Sequence, residues 1–523
     1  MASSSPALAE ALAASGRMSV YEQFHERARH APDAIALRSA RRCDTYAALD
    51  ARVRRAAAML QARGLARGDR VALLSENCCE YIEIELAAAL LGLIVACQNW
   101  RLARDELRHC IALVEPGLVI ASARFRAAYD ATGLDVPAMT IETDYAQALA
   151  ASAPLAGRPV VDPEDGLVIL YTSGTTGLPK GALISHRAQI ARAAVLCMDY
   201  GITREDGFVA WAPMFHMAST DQMLQALMSG ATVHVIDGYE PRALVDIMSR
   251  FRIGWMVLMP GSIEPVVEIL RAERPAIAGI RVIGSMIDLV PLDLAAELSS
   301  LTGAPYMNSF GSTETGLPPA SGCLIAPGVV PERLSKRASS LVQFRLLDEA
   351  DRDVPDGEPG EMAVRGPTVF SGYWNAPEAN AKSFVGGWFH MGDMFVRNAD
   401  GSYDFVDRSK YMIKSGGENI YPAEIERVML ADARVRDAVI VRKKDARWGE
   451  VPVAFVARKT EDLDAAAIES LCRAALAGYK RPKAVHFIDY DDFPRSTTGK
   501  IQRHEIERWL SERPEYRDPT GSA

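Results

Sequence analysis

The densest run of reactive groups in the chain is Tyr171-Thr-Ser-Gly-Thr-Thr-Gly-Leu-Pro-Lys-Gly181. Thr172, Ser173, Thr175 and Thr176 supply hydroxyl donors, and Lys180 adds a point charge. Gly174 and Gly177 let the backbone approach an anion closely and take positive φ. Successive N–H groups in such a loop form an anion-binding concavity. The chemistry these residues suit is the holding of phosphate. The run is not a Walker loop, which needs Gly, four residues, then Gly-Lys-Ser/Thr. Counted from Gly174 the second glycine position is Pro179, and counted from Gly177 it is Ala182. A flexible linker of the same composition is the alternative, but linkers seldom follow an apolar run such as Leu167-Val-Ile-Leu170 directly.

Leu167 to Leu170 reads as a short buried strand that delivers the loop, and polar helical sequence is expected from about Ser185. Upstream, helices are expected over Tyr21 to Ala31, Thr45 to Arg63, Glu80 to Leu91 and up to Leu113, with Gly64 closing the second. Val71 to Leu74 and the run after Gly92 read as strands between them. Downstream, Phe208 to Trp211, Thr232 to Ile236, Trp255 to Leu258, Arg281 to Gly284 and Pro305 to Phe310 read as further strands. Several of them end in polar or Gly-containing loops, and ligands of open α/β sheets sit at the carboxyl ends of strands. From about Val342 the texture becomes short strands and turns, a small β subdomain, and the remainder to about Leu510 alternates helix and strand as an α+β unit. The expected fold class is therefore α/β: a large N-terminal domain of α/β sheets with a small β subdomain, followed by a small α+β C-terminal domain.

At 523 residues the chain is long enough for two or more domains. Its 49% hydrophobic and 24% charged residues are ordinary globular composition. A net charge of −9 with no basic block gives nucleic-acid binding no support. Eight cysteines are scattered without a Cys-x-x-Cys pair, several in apolar runs, which favours a reducing compartment over a disulfide scaffold. Met1 to Arg17 carries Glu10 and no basic residue ahead of its apolar part, so it does not read as a signal peptide. Leu86 to Ala96, the most apolar later stretch, is too short to span a bilayer. A cytoplasmic protein without a transmembrane segment is the expectation.

With the loop from Tyr171 to Gly181 stand Ser309-Phe-Gly-Ser-Thr-Glu314, Gly360-Glu361 to Pro367, Gly372-Tyr-Trp374 and His390-Met-Gly-Asp393. Asp407-Arg408, Gly416-Gly-Glu-Asn-Ile-Tyr-Pro422 and Pro494-Arg-Ser-Thr-Thr-Gly-Lys500 follow. In this order and spacing, over nearly the whole chain, the set resembles the adenylate-forming superfamily of acyl-CoA synthetases, peptide-synthetase adenylation domains and luciferases. The resemblance implies activation of a carboxylate as an acyl-adenylate, with ATP and coenzyme A as co-substrates and Mg²⁺ neutralising phosphate charge.

Residue by residue, it implies that Thr172 to Lys180 hold the triphosphate and that Glu314, with the Thr172 hydroxyl, takes the metal. Phe310 and Gly311 fall in the adenine-contacting segment, and Thr313 is a further ATP/AMP-binding candidate. Asp393 and Arg408 would hold the ribose, although alone Asp393 is an ordinary turn residue. Lys500 would stabilise charge developing on the carboxylate and α-phosphate. His216, alone more often a structural residue, would gate between the acid and the thiol. Lys410 matches the hinge about which a mobile C-terminal domain (410–523) turns against the N-terminal AMP- and acyl-binding domain (1–409). Lys414, Gly416 and Gly417 would then line the thiol path. Trp448, Tyr479, Arg481 and Lys483 are candidates for the coenzyme A nucleotide, and Tyr479 to Lys483 reads equally as a solvated basic loop.

Many relatives carry Gly-Gly-Ala or Gly-Ala-Ala where this chain has Gly284-Ser285-Met286, which narrows the expected acyl pocket. Met214, Phe215, Met259, Met286 and Met307 are its apolar candidates, with no placed cation for a second carboxylate. The reading is an acyl-CoA synthetase for a medium-chain fatty, branched or aromatic acid, whose partners are that small acid and coenzyme A, with a homodimer left open. The rivals are an adenylating enzyme that loads a separate carrier protein, a silent nucleotide-binding regulator, and a luciferase-like oxygenase.

Overall fold

The computed structural model describes residues 6–172, 178–259, 261–416, 418–495 and 501–516. They fall into two compact units: Met1–Gln343 with Val364–Phe389, and Phe344–Ala363 with His390–Ala523. The chain thus passes between the units more than once, and the points of passage differ from the single division expected at Lys410.

In the first unit, six strands form one sheet in the order Ala138–Thr140, Leu118–Ala121, Arg70–Leu74, Ile94–Cys97, Gly166–Thr172, Lys180–Ser185. All neighbours are parallel except the last pair. The parallel strands are buried almost throughout, as a sheet covered on both faces requires. The helix Cys79–Leu91 is buried all round, and Gly92, at φ +68, ends it in the left-handed conformation.

Further strands build more sheets in this unit. Cys43–Thr45, Ile35–Arg38, Val233–Val235 and Phe208–Ala210 are neighbours in that order. Ile253–Met256, Ile280–Ile283 and Tyr306–Met307 run parallel to one another. A parallel bridge from Gly207 to Ile253 joins the two sets. The carboxyl ends of Phe208–Ala210, Ile253–Met256, Ile280–Ile283 and Tyr306–Met307 therefore lie along one edge.

The expected strands are present, with three differences and one omission; the strand expected over Pro305 to Phe310 pairs only as Tyr306–Met307. The strand expected over Trp255 to Leu258 pairs as Ile253–Met256, and Val257 and Leu258 are buried beyond the pairing. The loop does not lead straight into a helix. Lys180–Ser185 is a strand, and Ser185 then caps His186–Tyr200 by accepting from the Ala188 N–H. The helix Met217–Ser229 has no legible apolar stripe because Ser219, Thr220, Asp221, Gln222 and Gln225 are buried in it with Met223, Leu224 and Leu227.

The second unit is organised by one long antiparallel pair, Val435–Asp445 with Gly449–Arg458. Alternate residues point to opposite faces. Ala438, Ile440, Ala454 and Val456 pack with Ile425, Met429 and Ile468 on one side. Val439, Val441, Val453 and Phe455 pack with Phe493, Ile506 and Leu510 on the other. Among the described residues no helix is long and apolar enough to cross a membrane. All eight cysteines are free, and Cys79, Cys97, Cys110 and Cys472 are buried.

Candidate active site

Thr172 and Lys180 face each other across the antiparallel pair. The phosphate loop is thus closed at its base by a hydroxyl and an ammonium. Ser173, Gly174, Thr175, Thr176 and Gly177 lie outside the described residues. The base is pinned from below. The Tyr171 hydroxyl donates to the Cys110 carbonyl at 2.7 Å and accepts from Gln98 Nε2 at 3.1 Å. A His109 ring nitrogen lies 3.1 Å from the Pro179 carbonyl oxygen.

Residues 371–374 run antiparallel beside Lys180–Ser185, through Leu183 N–H to Gly372 O and Trp374 N–H to Gly181 O. Gly372 takes φ +100 there, and Asn380 holds both the Tyr373 N–H and its carbonyl. Tyr373 is thereby aimed at two of the expected phosphate-site groups. Lys180 Nζ lies 5.2 Å from the centre of its ring, a cation–π contact. Its hydroxyl donates to Glu314 Oε1 at 2.8 Å. In the sequence Tyr373 falls inside the Gly372-Tyr-Trp374 motif, where its residue type alone points to no role.

Glu314 sits on a tight ribbon in which Gly311–Ser312 pairs with Gly316–Pro319. A Cβ on Gly311 would stand 2.1 Å from the Gly316 carbonyl oxygen, so only glycine fits. Phe310 is buried, and its N–H donates to Ser321 Oγ at 2.9 Å. Behind the ribbon lies Arg192, 2% exposed and not singled out by the sequence. Its guanidinium donates to Thr313 O, to Thr368 O and to the Asp221 carboxylate, each at 3.1 Å. Burial raises the Asp221 carboxyl, and Arg192 opposes the rise. The available signal was one charge amid the apolar Ala188 to Leu196 stretch.

His216 caps Met217–Ser229, its Nδ1 accepting from the Ala218 N–H at 3.2 Å. Asn77, also missed, ties this corner together. Its Nδ2 donates to the carbonyls of Ala210, Ala212 and Ile236, and its Oδ1 accepts from the Met214 N–H. Met214, Met259, Met286 and Met307 stand at the carboxyl ends of the four aligned strands. Met214 and Met307 are buried, Phe215 packs edge-on against Trp100, and Met259 and Met286 are half-buried. Ser285 directs its hydroxyl to the Leu258 carbonyl at 2.8 Å. Two indoles staple these strand ends: Trp211 Nε1 donates to Val257 O and Trp255 Nε1 to Gly284 O, both at 2.8 Å. A fully buried cation, Lys336, is bonded to Asn308, the residue after Met307. Lys336 Nζ donates to Asp288 Oδ2 and Asn308 Oδ1, both at 2.6 Å. Its charge is already matched by Asp288, so it is not a free receptor for a second carboxylate.

In the second unit Asp393 is buried opposite Arg408, whose Nε is 3.1 Å from Asp393 Oδ1. The neighbouring Asp407 accepts from the Arg408 N–H and from the Ala423 N–H at the start of the helix Pro422–Leu430. Burial raises the Asp407 carboxyl, with Arg503 opposing. Lys410 lies in a short 3₁₀ turn, its Nζ 4.8 Å from the Tyr411 ring centre. Lys414 is exposed and pairs with Glu349 at 3.3 Å. Gly416 takes φ +59 against Trp448, where a Cβ would meet the indole at 2.7 Å. Trp448 and Tyr479 are 42% and 40% exposed, a supply of aromatic surface suited to stacking. Arg481 Nε donates to the Leu476 carbonyl, and the exposed Lys483 bonds Pro452 O through its N–H. Gly417 and Lys500 lie outside the described residues. The flanks of the Lys500 loop are joined by an antiparallel bridge from Arg495 to Ile501.

Comparison with known proteins covers both parts of the chain. The family model described as AMP-binding enzyme matches residues 24–374, and that of the AMP-binding enzyme C-terminal domain matches 424–500. An indoleacetate–CoA ligase of Aromatoleum aromaticum is 35% identical over 506 residues, 92% of this chain and 97% of the relative. A feruloyl-CoA synthase of an Amycolatopsis species is 33% identical, with 92% and 97% covered. Among solved structures, the o-succinylbenzoate CoA synthetase of Bacillus subtilis, in complex with its acyl-adenylate intermediate, superposes with a TM-score of 0.82 at 25% identity. That match covers 94% of this chain and 98% of the other. On these matches the chain belongs to the AMP-binding enzymes of the adenylate-forming superfamily.

Proposed function

We propose that this protein is an AMP-forming acid–thiol ligase that converts a carboxylic acid, ATP and coenzyme A into an acyl-CoA, AMP and pyrophosphate, and that the acid is aromatic. In the first half-reaction a carboxylate oxygen attacks the α-phosphorus of ATP. The bond from α-phosphorus to the bridging oxygen breaks, and pyrophosphate leaves. Two anions must meet, so the work is positioning and charge stabilisation. In the second, the coenzyme thiol loses its proton, its sulfur attacks the acyl carbonyl, and AMP departs.

The observation that carries this reading is the meeting of Lys180 and Glu314 on Tyr373 at the mouth of the loop. A cation for phosphate and a carboxylate for a hard metal belong together where MgATP binds. Magnesium is held through one or two carboxylates plus substrate phosphates. Glu314 has a second carboxylate oxygen beyond the one facing Tyr373, and the Thr172 hydroxyl is a further oxygen donor, so this donor set suits the metal. When bound, the ion neutralises phosphate charge. Lys180 balances the departing pyrophosphate, Asp393 accepts from the ribose hydroxyls, and Lys500 stabilises charge at the α-phosphate. Lys410 absorbs the backbone change between the half-reactions, after which Lys414, Gly416 and Gly417 serve the thiol. Trp448, Tyr479, Arg481 and Lys483 take the coenzyme nucleotide. The relatives named for indoleacetate and ferulate, together with the Met- and Phe-bearing strand ends, support an aromatic acid over a medium-chain or branched one.

Incubation with MgATP, coenzyme A and a panel of aryl, branched and medium-chain acids, read by mass spectrometry, tests this. A thioester with AMP in equal amount is expected. An acyl-adenylate without thioester would reassign the acceptor to a carrier protein. Nucleotide binding with neither product would leave a silent regulator. Sedimentation of the same sample tells a homodimer from a monomer.

A further inference from the structure

The Arg192 side chain joins two segments that are far apart in sequence and both needed at the phosphate site. Nη2 holds the carbonyl of Thr313, the residue before Glu314. Nε holds the carbonyl of Thr368, five residues before Tyr373. Nη1 is anchored on Asp221 of the next helix, which is itself 1% exposed. Gly316, at φ +77, leaves the space the side chain fills: a Cβ there would stand 2.6 Å from Arg192 Cδ. The two segments also touch directly, Phe370 N–H donating to Glu314 O at 2.8 Å. The planar fork of arginine serves two carbonyls and a carboxylate at fixed angles, which a lysine cannot do.

We propose that Arg192 is a positioning residue for MgATP, locking the Glu314 ribbon and the Tyr373 segment into one rigid wall. This rests on the ligase reading above. Arg192 touches no substrate. It sets where the Glu314 carboxylate and the Tyr373 hydroxyl stand relative to Lys180. Its influence should therefore fall on nucleotide binding and adenylation and spare the thioester step.

The test compares wild type with Arg192→Lys and with the paired change Arg192→Met and Asp221→Leu. The pair removes both buried charges together, which proteins tolerate far better than loss of one partner. Affinity for MgATP is measured by calorimetry, adenylate formation by pyrophosphate exchange, and the second half-reaction by supplying synthetic acyl-adenylate with coenzyme A. Both variants are expected to bind MgATP more weakly and adenylate about 10- to 100-fold more slowly. Thioester formation from supplied adenylate should stay within about twofold of wild type, a size set by the same positioning argument. Unchanged MgATP affinity overturns the inference, as does an equal fall in both half-reactions, which marks a structural role alone. If the paired variant does not fold, Arg192→Lys, which keeps a charge beside Asp221, decides it by the same readings. A wild type that binds MgATP but activates no acid refutes the ligase reading instead, and the affinity comparison still decides the role of Arg192.

Discussion

A methyl group at residue 311 would stand 2.1 Å from the Gly316 carbonyl oxygen and 2.5 Å from that of Leu317. Both contacts are backbone, so no rotamer relieves them. Gly311→Ala is expected to push the Glu314 ribbon out of place and lower adenylation about 100-fold, with a fall in melting temperature, both read on the purified variant. Lys500→Ala should remove adenylation and leave thioester formation from supplied acyl-adenylate intact, which separates the two chemistries at one residue. The groups expected to meet substrate, Lys180, Glu314, Asp393 and Arg408, could be named because each falls in a motif that carries the family resemblance; by residue type alone Asp393 is an ordinary turn residue. The residues that hold them could not. Arg192, Asn77 and Tyr373 are ordinary letters whose value comes from the carbonyls and carboxylates that the fold brings to them, up to 176 positions away in the case of Arg192 and Thr368.

The corner after Phe208–Ala210 shows how elements are coupled. Asn77 makes four hydrogen bonds to two segments, residues 210–214 and Ile236. Asn77→Ala strands buried donors and acceptors and is expected to cost about 2 to 4 kcal/mol, seen as a lower denaturant midpoint. It should also raise the KM for the acid, because Met214 and His216 hang from this corner. Strand existence was legible from apolar runs, and the helix starts expected at Thr45 and about Ser185 prove to be residues whose side chains cap those helices. Two elements escaped. Lys180–Ser185 was hidden by the loop motif it closes, and Met217–Ser229 by polar side chains that find their partners on neighbouring segments. Ser219, for instance, donates to the Ala212 carbonyl at 2.6 Å.

Across the whole molecule, acidity is the expected weakness. Burial lowers His186 and His234 from the ordinary 6.5 to about 4. His186 Nδ1 accepts from the Val20 N–H, a bond that only the unprotonated nitrogen can make. Both pKa values are depressed on folding, so the unfolded chain binds these protons first. The stability is complete above the unfolded value and is lost as pH falls towards 4. Between about pH 7 and pH 5 each histidine should cost about 2 kcal/mol. Denaturant titrations at the two pH values check this, and His186→Asn should shrink the difference. The division into α/β and α+β parts was legible in the sequence. The interleaving of residues 344–363 with the second unit was not, since no local pattern shows which part a short strand joins. The indole staples have an evolutionary meaning. Trp211 and Trp255 fasten the strand ends by backbone carbonyls, indifferent to the side chains at Met259 and Met286. The proposed acyl positions can thus change while the scaffold stays still, so a new acid needs few mutations and little loss of stability on the way.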